Sequence, residues 1–245
     1  MTDSRQPGSD VPGPDGPQAQ PSRSRRSLSA LKETVLVVAI ALVISLLVKT
    51  FLVQAFYIPS SSMEDTLEVG DRVLVSRLAP GLLEVHRGDI VVFEDPGGWL
   101  RDDADPDSLK QRLITVGEFV GLLPANTGSH LIKRVIGLPG DTVACCGQDG
   151  RVTVNGVPID EPYVIEGAAP SDVPFEVTVP EGHLFVLGDN RSNSADSRYH
   201  QGAPGGGTVP IENVVGVAQV TIWPLDRVGL LRNPGTTFAD VPEAS

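Results

Sequence analysis

The chain has 245 residues, 26 of them Gly and 21 Pro, together about 19% against roughly 12% in average proteins, which argues against an all-helical bundle. Hydrophobic residues at 40% and charged residues at 20% are enough for a sizeable core. The formal charge of −12, from 19 basic and 31 acidic residues, argues against a nucleic-acid partner, because neutralising phosphates needs a basic face.

Residues 1–22 are Pro, Gly, Ser, Asp and Gln without apolar periodicity, and such a segment cannot bury enough surface to offset chain entropy. A disordered cytoplasmic tail is therefore expected over 1–30. Basic Arg23, Arg25, Arg26 and Lys32 precede an apolar run from Val35 to Val48, and a second apolar stretch follows from Phe51 to Ile58. Together they predict a transmembrane anchor over 31–57, with Lys49 reaching the headgroups. Basic residues before the run and acidic Glu64, Asp65 and Glu68 after it orient the N-terminus to the cytoplasm and the rest outside. A cleaved signal peptide competes for the same segment, but no small-x-small cleavage site follows the run. Arg25-Arg26 satisfies the positive-inside rule without a twin-arginine export signal.

From residue 58 the pattern is one of short strands. Asp71–Ser76, Asp89–Phe93, Leu131–Ile136, Asp141–Ala144, Arg151–Val154, Phe175–Val179, His183–Leu187 and Val214–Ile222 alternate or run apolar between turns such as Pro139-Gly140-Asp141 and Asn155-Gly156. The expectation is a mainly β fold: an antiparallel β-rich domain over 58–230, with inserted variable segments at about 95–130 and 140–182. Within the first, Leu109, Leu113, Val116, Phe119, Val120 and Leu123 have near-helical spacing, predicting an amphipathic helix over Ser108–Leu123. A flexible tail is expected over 231–245.

Cys145-Cys146 fits neither zinc spacing nor a disulfide scaffold, since adjacent cysteines can close only an eight-membered ring. They read as two small half-buried residues at a strand end. His86, His130, His183 and His200 show no metal-ligand pairing, so neither metal nor cofactor is expected.

Three segments could carry chemistry. Pro59-Ser60-Ser61-Ser62-Met63 is serine-rich but flanked by apolar residues and leads into a strand, which suggests a structured turn. In His130–Asp141, period two gives Lys133 the apolar neighbours Leu131 and Val135. Their desolvation would lower the pKa of the amine, as a lysine general base requires. An edge lysine deterring aggregation is the plainer alternative. Gly188–Arg198 is oxygen-rich, yet Arg191 at its third position and the absence of Gly at the sixth spoil a calcium loop. It could instead supply hydroxyls and an Asp196/Arg198 pair to a site.

Taken together, Ser-x-Ser-Met with Thr66-Leu67, Lys-Arg-x-x-Gly-x-Pro-Gly-Asp and Gly-Asp-Asn-Arg-x-Asn-Ser-x-Asp-Ser-Arg resemble bacterial type I signal peptidase, a membrane-anchored Ser/Lys endopeptidase. The resemblance spans the anchor and most of 50–225. It implies a β-fold catalytic domain with a more variable inserted subdomain, and cleavage of signal peptides from exported preproteins at the lipid bilayer. It also implies Ser62 as nucleophile, Lys133 as general base, an oxyanion hole from the Ser60 hydroxyl and the Ser62 N–H, Ser194 orienting the lysine amine, and Asp196 with Arg198 as a supporting ion pair. Asp65, Ser192 and Ser61 depart from residues common in the family, namely Pro, Asp and Gly. The anchor and strands alone would also suit a non-catalytic membrane-anchored β-domain that binds an extracellular ligand or partner, but that reading leaves the Lys133 and Ser194 motifs as coincidences.

Overall fold

The computed structural model describes residues 32–45, 52–100, 130–165, 167–203 and 205–244. The chain divides into a unit ending at Ile44 and a second beginning at Ser45. Residues 32–45 are helical. At 1.5 Å per residue the described helical stretch spans about 21 Å. Among the described residues no helix is long and apolar enough to cross a membrane. The expected 108–123 helix and the 1–30 tail lie outside the described residues.

The second unit is built on two antiparallel sheets. Its strands are β1 (Val53–Tyr57), β2 (Arg72–Ser76), β3 (Ile90–Glu94), β4 (His130–Gly137), β5 (Thr142–Cys145), β6 (Thr153–Val154), β7 (Val157–Pro158), β8 (Phe175–Thr178), β9 (His183–Leu187), β10 (Val209–Pro210), β11 (Val214–Trp223) and β12 (Gly229–Leu230). The larger sheet runs β1-β2-β11-β3-β4-β9-β10, with β12 beside β11, and the smaller runs β7-β6-β5-β8. The smaller sheet falls within the segment expected as an insertion at 140–182. β2 alternates exposure along Arg-Val-Leu-Val-Ser because one face meets the core, whereas β3 and most of β4 are buried on both faces. Phe56, Ile58, Met63, Leu67, Val73 and Val75 pack one core cluster under the β1–β2 edge. Another joins Ile136, Phe185 and Leu187 of the larger sheet to Val143, Val154 and Phe175 of the smaller. That shared cluster makes the two sheets one packed body.

Three expectations need correction. Residues Val53–Tyr57, expected as the end of the anchor, form β1 and pair antiparallel with β2 from Val53↔Ser76 to Tyr57↔Arg72. The stretch is apolar because Phe56 points into the core, not because it meets lipid. The expected C-terminal tail is packed: Phe238 and Val241 are buried, Asn233 Nδ2 donates to Arg87 O at 2.9 Å, and Pro242 O accepts from Arg87 and Asn155. Two apolar side chains and several hydrogen bonds are enough to hold it. Cys145 and Cys146, read as merely small residues at a strand end, are joined by a disulfide.

Candidate active site

Between β1 and β2 the chain turns through Ser60, Ser61 and Ser62. Leu67 N–H donates to Met63 O at 2.7 Å, and Ile58 N–H donates to Asp71 O at 2.9 Å. Met63 and Leu67 are wholly buried and pin the turn from below. The turn needs a left-handed residue at Asp65, whose φ is 84°. Proline, locked near −65°, could not occupy that position in this conformation.

Ser62 is 7% exposed and Lys133 3%. Lys133 Nζ lies 2.7 Å from Ser62 Oγ and donates to Ile132 O at 2.9 Å. Burial lowers the lysine pKa from 10.5 to about 8, opposed by the charges of Asp196 and Asp189. The amine is thus readily neutralised while touching a serine hydroxyl, the arrangement in which that oxygen can be made nucleophilic. Ser60 Oγ lies 3.3 Å from Ser62 Oγ. Ser194 is buried nearby, but its hydroxyl has no hydrogen-bond partner among the described residues. The expected bond from Ser194 to the lysine amine is therefore not formed; the amine's bonds go to Ser62 and the Ile132 carbonyl.

The loop after β9 clasps this turn. Asn190 N–H donates to Ser62 O at 3.2 Å, and its side-chain amide donates to Ser61 O and to Glu64. Asn193 Nδ2 donates to Ser61 Oγ at 2.8 Å. Gly188 permits this approach, since a Cβ there would collide with the Ser194 side chain and the Ser62 carbonyl. Asp196 and Arg198 form a fully buried two-pronged pair at 2.8 Å, as expected, and Asp196 also accepts from Gly188 N–H.

Beneath lies a network that sequence reasoning left without roles. Arg134 grips Asp189 through Nε at 2.8 Å and Nη2 at 2.6 Å, and Thr66 Oγ1 donates to the same carboxylate at 2.6 Å. Tyr163 stacks on the Arg134 guanidinium at 4.0 Å and donates to Glu161, which pairs with Arg191. The available signal was Arg134 between apolar Ile132 and Ile136, since a guanidinium buried in a strand must find an anionic partner.

Beside Ser60 and Lys133 opens a cavity of about 110 Å³ walled by Phe56, Ile58, Val92, Ile132 and Leu100. It is smaller than the roughly 150 Å³ cavity that admits benzene, so it suits a short aliphatic group.

The family model for signal peptidase, peptidase S26, matches residues 31–223. A probable signal peptidase I of Mycobacterium leprae is 38% identical, the alignment covering 70% of this chain and 69% of that protein. Signal peptidase I of Mycobacterium tuberculosis is likewise 38% identical, covering 72% of this chain and 67% of the relative. A solved signal peptidase I from Enterococcus faecalis aligns at 30% identity with a TM-score of 0.36, covering 55% of this chain and 97% of that one.

Proposed function

Because the chain belongs to the peptidase S26 family of signal peptidases, enzymes that cleave signal peptides from preproteins, we propose that this cleavage is carried out by Ser62 and Lys133. The observation that carries the assignment is the 2.7 Å contact between Lys133 Nζ and Ser62 Oγ inside a desolvated site. Neutral Lys133 takes the Ser62 proton as Oγ attacks the scissile carbonyl, and the Ser60 hydroxyl and Ser62 N–H stabilise the oxyanion. The resulting lysine ammonium returns that proton to the departing amine, leaving an acyl ester on Ser62. Water, deprotonated by the same lysine, then releases the product carboxylate and regenerates the serine. Asp196, paired with Arg198, fixes the loop that carries Ser194 against the nucleophile turn.

The apolar run Val35–Val48, with basic residues before it, supports a single-pass membrane anchor with a cytoplasmic N-terminus and an extracytoplasmic peptidase domain. Such an anchor confines enzyme and membrane-inserted preprotein to one plane. The test is cleavage of a purified preprotein by the full chain in detergent. Ser62→Ala and Lys133→Ala should each abolish it while the folded far-UV signature persists, and Lys133→Arg should fail too because guanidinium stays protonated. Near-normal turnover by Lys133→Arg would overturn the base assignment.

A further inference from the structure

The walls of the cavity beside the nucleophile come from three strands, from Ile58, Pro59 and Ser60 of the turn after β1, and from one residue brought in from elsewhere. Phe56, Val92 and Ile132 belong to β1, β3 and β4, whereas Leu100 is brought in by the turn that follows β3. That turn is organised by one carboxylate. Asp95 Oδ1 accepts from Gly97 N–H at 2.9 Å and Trp99 N–H at 3.1 Å, while Oδ2 accepts from Leu100 N–H at 3.1 Å. Gly97 and Gly98, with φ of 123° and 82°, supply the left-handed backbone that curls three amides onto one side chain. Although burial opposes it, this set of amide bonds holds the Asp95 carboxyl below its ordinary pKa, so it stays ionised and accepting.

The turn is also bolted at its far side. Trp99 is 7% exposed, meets Phe93 edge-on at 5.8 Å and stacks on His200 at 4.3 Å. His200 Nδ1 in turn bonds the backbone carbonyl of Asp196 at 2.9 Å. One residue later, half-buried Leu100 faces the cavity. The backbone of Leu100 is thus fixed by Asp95, and its neighbour is fixed against the residue that follows the catalytic loop. A side chain whose own amide and whose preceding residue are both anchored resists displacement, whereas one on an untethered loop would yield to a larger substrate group.

We propose that Leu100 is a specificity-determining residue: it closes the apolar cavity so that only a short substrate side chain fits, and Asp95 is the positioning residue that keeps it there. The inference deepens the proposed function and rests on a preprotein segment lying along Ser62 with a side chain in this cavity. In an extended substrate alternate side chains share a face, and the cavity adjoins Ser60 and Lys133, so the residue read by Leu100 stands close to the cleavage point and is sought at −1 and −3, which share a face.

The experiment uses the full chain in detergent and two preprotein series carrying Ala, Val or Leu at −1 or at −3. The readout is the ratio of kcat/KM for the larger residue to that for Ala. Leu100→Ala should raise the Val-to-Ala ratio at least about tenfold at one of the two positions and leave the other unchanged, the discrimination expected for one or two methylenes in an apolar pocket. Leu100→Val, a smaller excavation, should move the same ratio in the same direction by less. Asp95→Ala should relax discrimination at that position too, whereas general damage to the fold would slow all substrates alike and leave the ratio in place. Unchanged ratios at both positions in Leu100 variants that still cleave the Ala substrate would overturn the inference. Failure of the wild-type chain to cleave any of these preproteins would instead overturn the proposed function.

Discussion

Lys133 should make the protein less stable than it could be. Its pKa falls from 10.5 to about 8, chiefly because burial disfavours the ammonium; at 1.36 kcal/mol per pH unit, that difference is about 3.4 kcal/mol. Between pH 8 and 10.5 the unfolded lysine binds a proton that the folded one does not, so wild-type stability rises with pH through that window. Below it both states are protonated, and the folded state carries the full penalty. Lys133→Met removes the charge and keeps much of the volume. It also removes the bonds to Ser62 Oγ and Ile132 O, each contributing about 1 kcal/mol. The net gain at pH 7 is about 1.4 kcal/mol, or roughly 3–6 °C in Tm for a domain of this size. Thermal unfolding of the two proteins in the same detergent at pH 7 and pH 10 checks this. The remaining penalty equals the two lost bonds near pH 9, at about 2 kcal/mol, so the advantage of the variant should vanish there and the wild type should be the more stable protein at pH 10. A wild type at least as stable at pH 7, with a difference that does not change with pH, would refute the account of Lys133 as a desolvated base.

Single-turnover cleavage should rise with pH through about 8 and then level, following neutralisation of Lys133; single replacements of His86, His183 and His200 should leave that limb in place, whereas a histidine base would put it near 6.5. Asp65→Pro should slow single turnover by on the order of 100-fold, because φ of 84° is closed to proline and the nucleophile turn must move, while Asp65→Gly should retain activity. Glu161→Gln leaves buried Arg191 without its anion, a loss of about 3–5 kcal/mol that should lower Tm by on the order of 10 °C. Arg151→Ala, which breaks only pairs exposed by 40% or more, should barely shift it.

Legibility followed the range over which the determining interaction acts. β2 was readable because a strand with one buried face writes its own alternation, and β3, β4, β9 and β11 because short apolar runs are bounded by turn residues, signals carried within a few residues. β1 was not: next to an apolar run of lipid-like composition, Val53–Tyr57 reads as more of the same, and only its pairing with β2 distinguishes it. The two-residue strands Val157–Pro158, Val209–Pro210 and Gly229–Leu230 are too short for any period to show. Ser62 and Lys133 were found through their motifs, although 71 positions separate them. The clasp of Asn190 and Asn193 on Ser61 joins residues more than 120 positions apart and appears only in the fold. The burial of Phe238 and Val241 likewise depends on the crevice between two sheets, so a segment rich in Pro, Gly and Thr looked free in sequence.

The buried pairs around the site explain why the lysine settles near pH 8 instead of much lower. Arg134, Arg191 and Arg198 are each buried against a carboxylate, Asp189, Glu161 and Asp196. Paired in this way the three cations largely cancel, and what remains at Lys133 is desolvation opposed by Asp196 and Asp189. At pH 7.5 a pKa of about 8 leaves roughly a quarter of the amines neutral, against about 0.1% for an unperturbed lysine. Asp196→Asn tests the balance. It removes the larger of the two opposing charges and leaves Arg198 buried without its anion, and both changes disfavour the ammonium. The rising limb of the single-turnover profile should therefore move below pH 8, while Tm falls because a buried pair has been broken. The two readouts separate the roles: general loosening of the loop would admit water, weaken the desolvation and carry the limb upward. A limb that moves above 8 in this variant would show that Asp196 acts on Lys133 only through packing and that its charge is screened from the amine.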